Sequence, residues 1–259
     1  MLDLEYAELS DPGPVRDHNE DYLGSALPPG EQEARNHGYL FVLADGVGGQ
    51  QKGEVASRLA VETVIEGFRS APKGEAFTSL LPRIVQKANT RIYETGTSMC
   101  TTVVACALRY DRAVIAHVGD SRCYVIRHGI ASQITRDHTV VAEQMRMGLL
   151  SRKEAAHSEA RHFLSRSLGA NLFANVEITD HQVQPGDVLL LCSDGLHGEL
   201  DSAEIAETIT WNRDLKQAAA KLLARAIDSG STDNISLQLI RILAVERMGM
   251  YRGRPYKLR

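Results

Sequence analysis

Apolar residues recur along this chain in two rhythms, one of strands and one of helices. Leu4 to Leu9 alternates in strand fashion, and Tyr39 to Ala44 is an almost unbroken apolar run that stops at Asp45 and the turn Gly46-Val47-Gly48-Gly49. A run of that length ending in one carboxylate and glycines predicts a buried strand that delivers Asp45 to a rim where the backbone turns sharply. Asp-Gly is also a common turn dipeptide, so this stretch taken alone reads first as an ordinary turn after a core strand. The period then lengthens. Val55, Ala56, Leu59, Ala60, Val64, Ile65 and Phe68 recur at helical spacing between Gln51 and Ser70, which predicts a helix with one face on the core. A second helix is expected from about Phe77 to Thr95 on Leu80, Leu81, Ile84, Val85, Ala88 and Ile92, with Pro82 tolerable only near its first turn.

The strand rhythm returns in Thr101–Tyr110, Ala113–Val118 and Arg122–Arg127, β-branched runs separated by Asp111-Arg112 and Gly119-Asp120-Ser121. These predict consecutive antiparallel strands. From Asp137 to Ala170 the pattern loosens into short helical pieces carrying His138, Arg146, Lys153, His157, Arg161, His162 and Arg166. A long polar insertion of this kind is either surface packing or a lid over a site, and no histidine pair in it has the i, i+4 spacing of a helical zinc site. Strands are expected again at Val176–Val183 and Asp187–Ser193 around the turn Pro185-Gly186, the second ending in Ser193-Asp194-Gly195. Asp201-Ser202-Ala203-Glu204 is a capping-box pattern with Leu200 and Ile205 as its staple, so a helix starts there. A further helix covers about Asp214 to Asp228, and Ser231-Thr232-Asp233-Asn234 opens a last strand from Ile235 to Leu243.

Composition narrows the classes. With 259 residues, 43% of them hydrophobic, the chain can bury a sizeable core. One domain is expected over 1–245, followed by a basic tail, 246–259, that reads as a solvated or frayed end. A net charge of −4 gives no general footprint for nucleic acid or anionic membrane. No apolar run approaches the length that spans a bilayer, and the N-terminus lacks a leader pattern; a soluble, cytoplasmic protein is expected. Cys100, Cys106, Cys123 and Cys192 show no C-x-x-C spacing and read as packing thiols in a reducing compartment.

Asp45, Asp120, Asp194 and Asp233 all stand at strand-to-loop junctions, with Glu20 and Asp21 beside another strand. If they converge, repulsion has to be offset, because two unit charges about 4 Å apart cost roughly 4 kcal/mol at an effective dielectric near 20. An all-oxygen donor set points to hard divalent ions, Mg²⁺ or Mn²⁺. Arg16 is then the cation left to clamp an anionic substrate, and its planar fork suits phosphate.

Arg16-x-x-Asn19-Glu20-Asp21, Asp45-Gly46-x-Gly48-Gly49, Gly53-Glu54-x-Ala56-Ser57, Gly119-Asp120-Ser121-Arg122, Asp137-His138, Ser193-Asp194-Gly195-Leu196 and Asp233-Asn234-Ile235-Ser236 follow one another in that order. Together they resemble the ordered motifs of the PPM, or PP2C-type, metal-dependent protein serine/threonine phosphatases, in their compact bacterial form, from about residue 4 to residue 243. The resemblance implies an α+β, four-layer α-β-β-α sandwich: two antiparallel sheets flanked by helices, with the metal site at one end. It implies that Asp45 bridges two Mn²⁺ or Mg²⁺ ions, that Asp194 and Asp233 complete the first, and that the Gly46 carbonyl binds the second. Glu20 and Asp21 would hold waters on the ions, Asp120 with Asp194 would form a third, weaker site, and Arg16 would bind the phosphate. The segment from Asp137 to Ala170 would be the flap near substrate. The implied reaction is in-line attack on phosphoserine or phosphothreonine by a water or hydroxide bridging the metals, without a phosphoenzyme and in opposition to a serine/threonine kinase. The expected partners are the phosphorylated substrates of that kinase or the kinase itself, and a monomer is expected.

Two positions depart from the family pattern. Val47 stands where many eukaryotic members have a histidine proposed as general acid, so this loop cannot supply that proton. Cys100-Thr101-Thr102 replaces a usual Gly-Thr-Thr, which puts the backbone freedom before that strand in question. A silent sandwich that binds a phosphorylated partner, and a phosphatase of small phosphomonoesters, are the other readings; turnover with metal excludes the first and substrate comparison separates the second.

Overall fold

The computed structural model describes residues 2–47, 52–96, 98–151, 154, 155, 158, 160, 163–251 and 254–257. Along the chain run β1 (Asp3–Asp11), β2 (Asp21–Ala26), α1 (Glu31–Asn36), β3 (Tyr39–Val47), α2 (Lys52–Arg69), α3 (Phe77–Tyr93), β4 (Cys100–Thr101), β5 (Val103–Arg109), β6 (Arg112–Val118), β7 (Arg122–Arg127) and β8 (Ile130–Gln133). Then follow α4 (Val140–Arg146), β9 (Glu177–Gln182), β10 (Val188–Cys192), α5 (Asp194–His197), α6 (Ser202–Trp211), α7 (Leu215–Asp228), β11 (Ile235–Ala244), β12 (Met248–Tyr251) and β13 (Arg254–Lys257). Two antiparallel sheets carry the fold, one in the order β1-β11-β10-β7-β8 and the other β2-β3-β5-β6-β9, with β4 paired to β3.

The strands read as continuous apolar runs because both faces of each sheet are covered. Along β3, Leu40, Val42 and Ala44 point to one hydrophobic cluster, shared with α2 and α3 through Ala60, Val64, Leu81 and Ile84. The alternate residues Phe41 and Leu43 point to another, between the sheets, with Val104, Ile115, Leu189 and Ile240. A third cluster packs Leu190, Leu237 and Leu239 against Ile205 and Ile209 of α6 and Leu222 of α7. The layers are therefore helix, sheet, sheet, helix, as the α+β sandwich requires.

Registers put the functional strand ends on one side. Asp21 opposes Asp45 across β2 and β3, Val103 opposes Val118 across β5 and β6, and Cys192 opposes both Arg122 and Leu237. The end of β3, the start of β2, the β6–β7 turn, the end of β10 and the start of β11 thus share one rim of the sandwich.

Several expectations need correction. Pro82 lies at the sixth residue of α3, beyond the first turn, and the helix runs through it; the packed face of Leu80, Leu81, Ile84 and Val85 outweighs the lost backbone bond. The expected strand from Thr101 divides into β4 and β5 at Thr102, whose N–H turns to the Asp45 carbonyl at 2.8 Å. The helix α1 and the strand β8 lay in stretches whose pattern predicted neither. The tail, expected to be solvated or frayed, contains the β12–β13 ribbon, which among the described residues pairs with neither large sheet. Gly48, Gly49 and Gln51, the flap residues Lys153, His157, Arg161 and His162, and Arg252 and Arg259 lie outside the described residues.

Candidate metal centre at one end of the sandwich

Of the five segments that carry the acidic residues, those of Asp45 and Asp233 are tied at Glu20 to the segment of Glu20 and Asp21. The Glu20 N–H donates to Asn234 Oδ1 at 2.8 Å, while its carbonyl accepts from Ser57 Oγ at 2.6 Å and from the Gly46 N–H at 3.1 Å. Asn234 also donates from Nδ2 to the carbonyls of Pro12 and His18, both at 2.9 Å. One asparagine at the start of β11 therefore anchors the loop that holds Arg16 and Glu20. The loop after β3 passes close to α2: a Cβ on Gly46 would lie 2.3 Å from the Gly53 backbone, and one on Gly53 would lie 2.8 Å from Glu20 Cδ. Only glycine at both positions lets β3, α2 and Glu20 meet.

Asp45 is fixed from the other side. Its N–H donates to Thr102 Oγ1 at 3.0 Å, and its carbonyl accepts from Thr101 Oγ1 at 2.7 Å. Cys100, just before these threonines, pairs with Val47 as an ordinary strand residue, so the position that is usually glycine needs no glycine here. Asp21 is buried, and its Oδ2 accepts from Ser193 Oγ at 2.8 Å. Asp194 is the first residue of α5, with Ser193 as its N-cap position. Asp120 is buried in the turn between β6 and β7, and Asp233 directly precedes Asn234 at the mouth of β11.

The electrostatics show that these acids face one another. Burial, followed by the charges of Asp21, Asp194, Asp120 and Asp233, pushes the Asp45 carboxyl well above the usual range. Burial, opposed by the Ser236 and Ser193 hydroxyls and aided by Asp194 and Asp233, raises Asp21 to about 7. Burial and then the Asp194 charge raise Asp120 to about 7. Glu20 is raised by burial, with Arg16 opposing and Asp233 adding to it. Carboxylates that repel one another at a buried rim are stable as anions only with added positive charge.

The donor set fits hard divalent cations. All side-chain donors are carboxylate oxygens, with the Gly46 carbonyl beside them, and Asp21 Oδ1 is buried without a hydrogen-bond partner, as expected of an atom meant for a cation's hydration shell. Arg16 stands at the edge of the carboxylate set. Its Nη2 donates to Asp233 Oδ2 at 2.8 Å, with about half of each side chain exposed. Its charge also reaches Glu20, whose rise it opposes.

The flap histidine His138 meets His117 and Glu177 in a second cluster, with ligand-type atoms within 4.8 Å of one another. Within it, His138 is not disposed as a ligand. His138 Nδ1 accepts the Gly119 N–H at 3.1 Å, so the neutral ring carries its proton on Nε2, 3.3 Å from Glu177 Oε2, and neither nitrogen has a lone pair to give. Arg166, 3.5 Å from the same Nε2, adds positive charge. Thr101, Thr102, Ser193 and Asn234 stand inside the quoted motifs, but the sequence pattern assigned them no role; His197, which directly follows the motif Ser193-Asp194-Gly195-Leu196, was not singled out, and that adjacency is the signal that could have marked it.

Comparison with known proteins agrees with this geometry. A family model described as protein phosphatase 2C matches residues 17–243. A serine/threonine phosphatase of Listeria innocua is 33% identical over 254 residues, spanning 95% of this chain and 96% of that one. The serine/threonine phosphatase of S. agalactiae superimposes with a TM-score of 0.86 at 30% identity, over 92% of this chain and 99% of that one. The catalytic domain of the phosphatase PstP, solved in complex with two manganese ions, superimposes with a TM-score of 0.81 at 29% identity, over 94% of this chain and all of that one. With the sandwich, the acidic rim and the match over nearly the whole chain in agreement, this chain belongs to the protein phosphatase 2C family of metal-dependent serine/threonine protein phosphatases.

Proposed function

We propose that Asp45, the Gly46 carbonyl, Asp194 and Asp233 hold two divalent cations, Mn²⁺ or Mg²⁺, that Glu20 and Asp21 act through the cations' hydration shells, and that Asp120 with Asp194 offers a third, weaker site. The observation that carries this reading is the partly buried, mutually repelling carboxylate set, with Asp21 and Asp120 buried and Asp21 Oδ1 left unpartnered. The manganese complex of PstP supports it. Bound there, the cations supply Lewis acidity and a water made nucleophilic at neutral pH.

This chain's own residues do the rest. Arg16 is the phosphate clamp: its salt bridge to Asp233 is half exposed, and such pairs are worth little, so an incoming phosphoryl group can take over the guanidinium at small cost. Thr101, Thr102 and Glu20 hold the Asp45–Gly46 backbone still, so the Asp45 carboxylate would be preorganised for the cations it is to hold. Val47 cannot donate a proton to the leaving serine or threonine oxygen, which leaves that proton to come from solvent at the site.

The substrates are phosphoserine and phosphothreonine on proteins modified by a cytoplasmic serine/threonine kinase, with the protein acting as a monomer through residues 1–245. The relatives' names as serine/threonine phosphatases support the substrate class, and the end at Ala244 of β11, the last strand to enter either large sheet, supports the boundary. The test is hydrolysis of a phosphothreonine peptide, p-nitrophenyl phosphate and small metabolite phosphates by purified protein with Mn²⁺ or Mg²⁺. Activity should vanish on chelation, return with metal, and be lost in Asp194→Ala. Activity that persists through thorough chelation would refute the reading, and a preference for metabolites would move the substrate away from proteins.

A further inference from the structure

The turn that carries Asp120 is held from several sides. Gly119 has φ +106°, and a Cβ there would lie 2.6 Å from Thr102 Cγ2, so the turn is pressed onto the threonine that also holds Asp45. The Gly119 N–H donates to His138 Nδ1 at 3.1 Å, and the Gly119 carbonyl accepts from the His138 N–H at 3.0 Å. Ser121 Oγ is 2.6 Å from Thr102 Oγ1. Arg122 holds Asp137 in a two-pronged bridge of 2.9 and 2.6 Å. The Asp120 carbonyl, in the same turn, is 3.0 Å from His197 Nε2.

That last contact fixes the chemistry of the ring. A carbonyl only accepts, so His197 carries its proton on Nε2, and that nitrogen can be neither a metal ligand nor a base. His197 also lies on α5 three residues after Asp194. One turn of helix thus bears both a carboxylate of the centre and the donor that grips the backbone of a second carboxylate.

Taking the metal centre proposed above as its basis, we infer that His197 is a positioning residue: its Nε2–H holds the Asp120 main chain so that the Asp120 carboxylate stands beside Asp194, and it thereby sets the affinity of the cation site those two share. Groups that orient ligands in this way commonly change metal affinity by about 10- to 100-fold when removed. The core pair of ions, held through Asp45, Asp194 and Asp233, does not depend on the Asp120 carbonyl and should be spared.

The experiment is equilibrium Mn²⁺ binding to metal-stripped, full-length protein, by calorimetry and by electron paramagnetic resonance of free Mn²⁺, for wild type, His197→Leu and His197→Gln. The expected result is two tighter sites and one weaker site in wild type. In His197→Leu the weaker site should lose about tenfold or more in affinity with the tighter pair unchanged, and His197→Gln, which keeps a donor of similar reach, should recover most of the loss. An unchanged weaker site in His197→Leu overturns the inference, as does equal weakening of all sites. If His197→Leu fails to fold by circular dichroism, His197→Gln is compared with the shorter His197→Asn, and equal affinities in those two overturn it. A wild-type protein that binds no Mn²⁺ overturns the proposed centre itself, a result distinct from any of these.

Discussion

Asp21 holds its two oxygens in unlike conditions, Oδ2 on the Ser193 hydroxyl and Oδ1 buried with no partner. Without cations the folded protein favours a proton there and on Asp120, each raised to about 7 mainly by burial. The sign follows from linkage: between the unfolded value near 4 and the folded value near 7 the native state binds more protons, so these groups make the metal-free protein less stable as pH rises through that window. Buried histidines such as His117, lowered by burial, act in the opposite direction below about 6.5, so the contribution has to be isolated by substitution. Asp120→Asn should stabilise metal-free protein by an amount that grows from pH 4 and levels off above pH 7, with a ceiling of about 4 kcal/mol. Thermal melts of chelated wild type and variant from pH 4 to 8 test this, and a gain independent of pH would contradict it. Arg16 shows what a sequence leaves out at this scale: its motif marked it as an anion binder, but its partner Asp233 is 217 residues away and no local pattern encodes that pairing.

Among the elements, those with a buried face were legible and those without one were not. The run Tyr39–Ala44 announced β3 because both its faces enter a core, and the capping box at Asp201 and Glu204 formed as read. In contrast α1 buries only Ala34, and β8 buries none of its four residues, so neither imposes an apolar period. Asp201→Ala should remove the N-cap bonds to Ala203 and Glu204 and cost about 1 kcal/mol, a fall of about 2 to 4 °C in melting temperature, with turnover unchanged. A Gly53→Ala variant should behave otherwise. Its new methyl must displace Glu20 and the Gly46 backbone, so both stability and Mn²⁺ affinity should drop, and a variant with wild-type affinity would show that this close approach is not needed for the site.

At the scale of the whole molecule, the carboxylates come from both sheets: Asp21 and Asp45 from the one that includes β2 and β3, Asp194 and Asp233 from the ends of β10 and β11 in the other. Cations held among them would cross-link the sandwich at one end. Adding Mn²⁺ at about 100 times its dissociation constant should stabilise the fold by about 2.7 kcal/mol per site, read as a rise in melting temperature that chelation reverses. Hydrogen exchange should slow on both sheets at the rim; slowing confined to one sheet would contradict a shared centre. The pairing of β1 with β11, in which Asp11 faces Ile235, has a consequence in time. The first strand made waits for the last large one, and the loop that holds Glu20 waits for Asn234. At about 5 to 20 residues per second, synthesis from Asp21 to Asp233 takes roughly 10 to 40 seconds, and a nascent chain has no complete centre until Asp233 and Asn234 have cleared the ribosome.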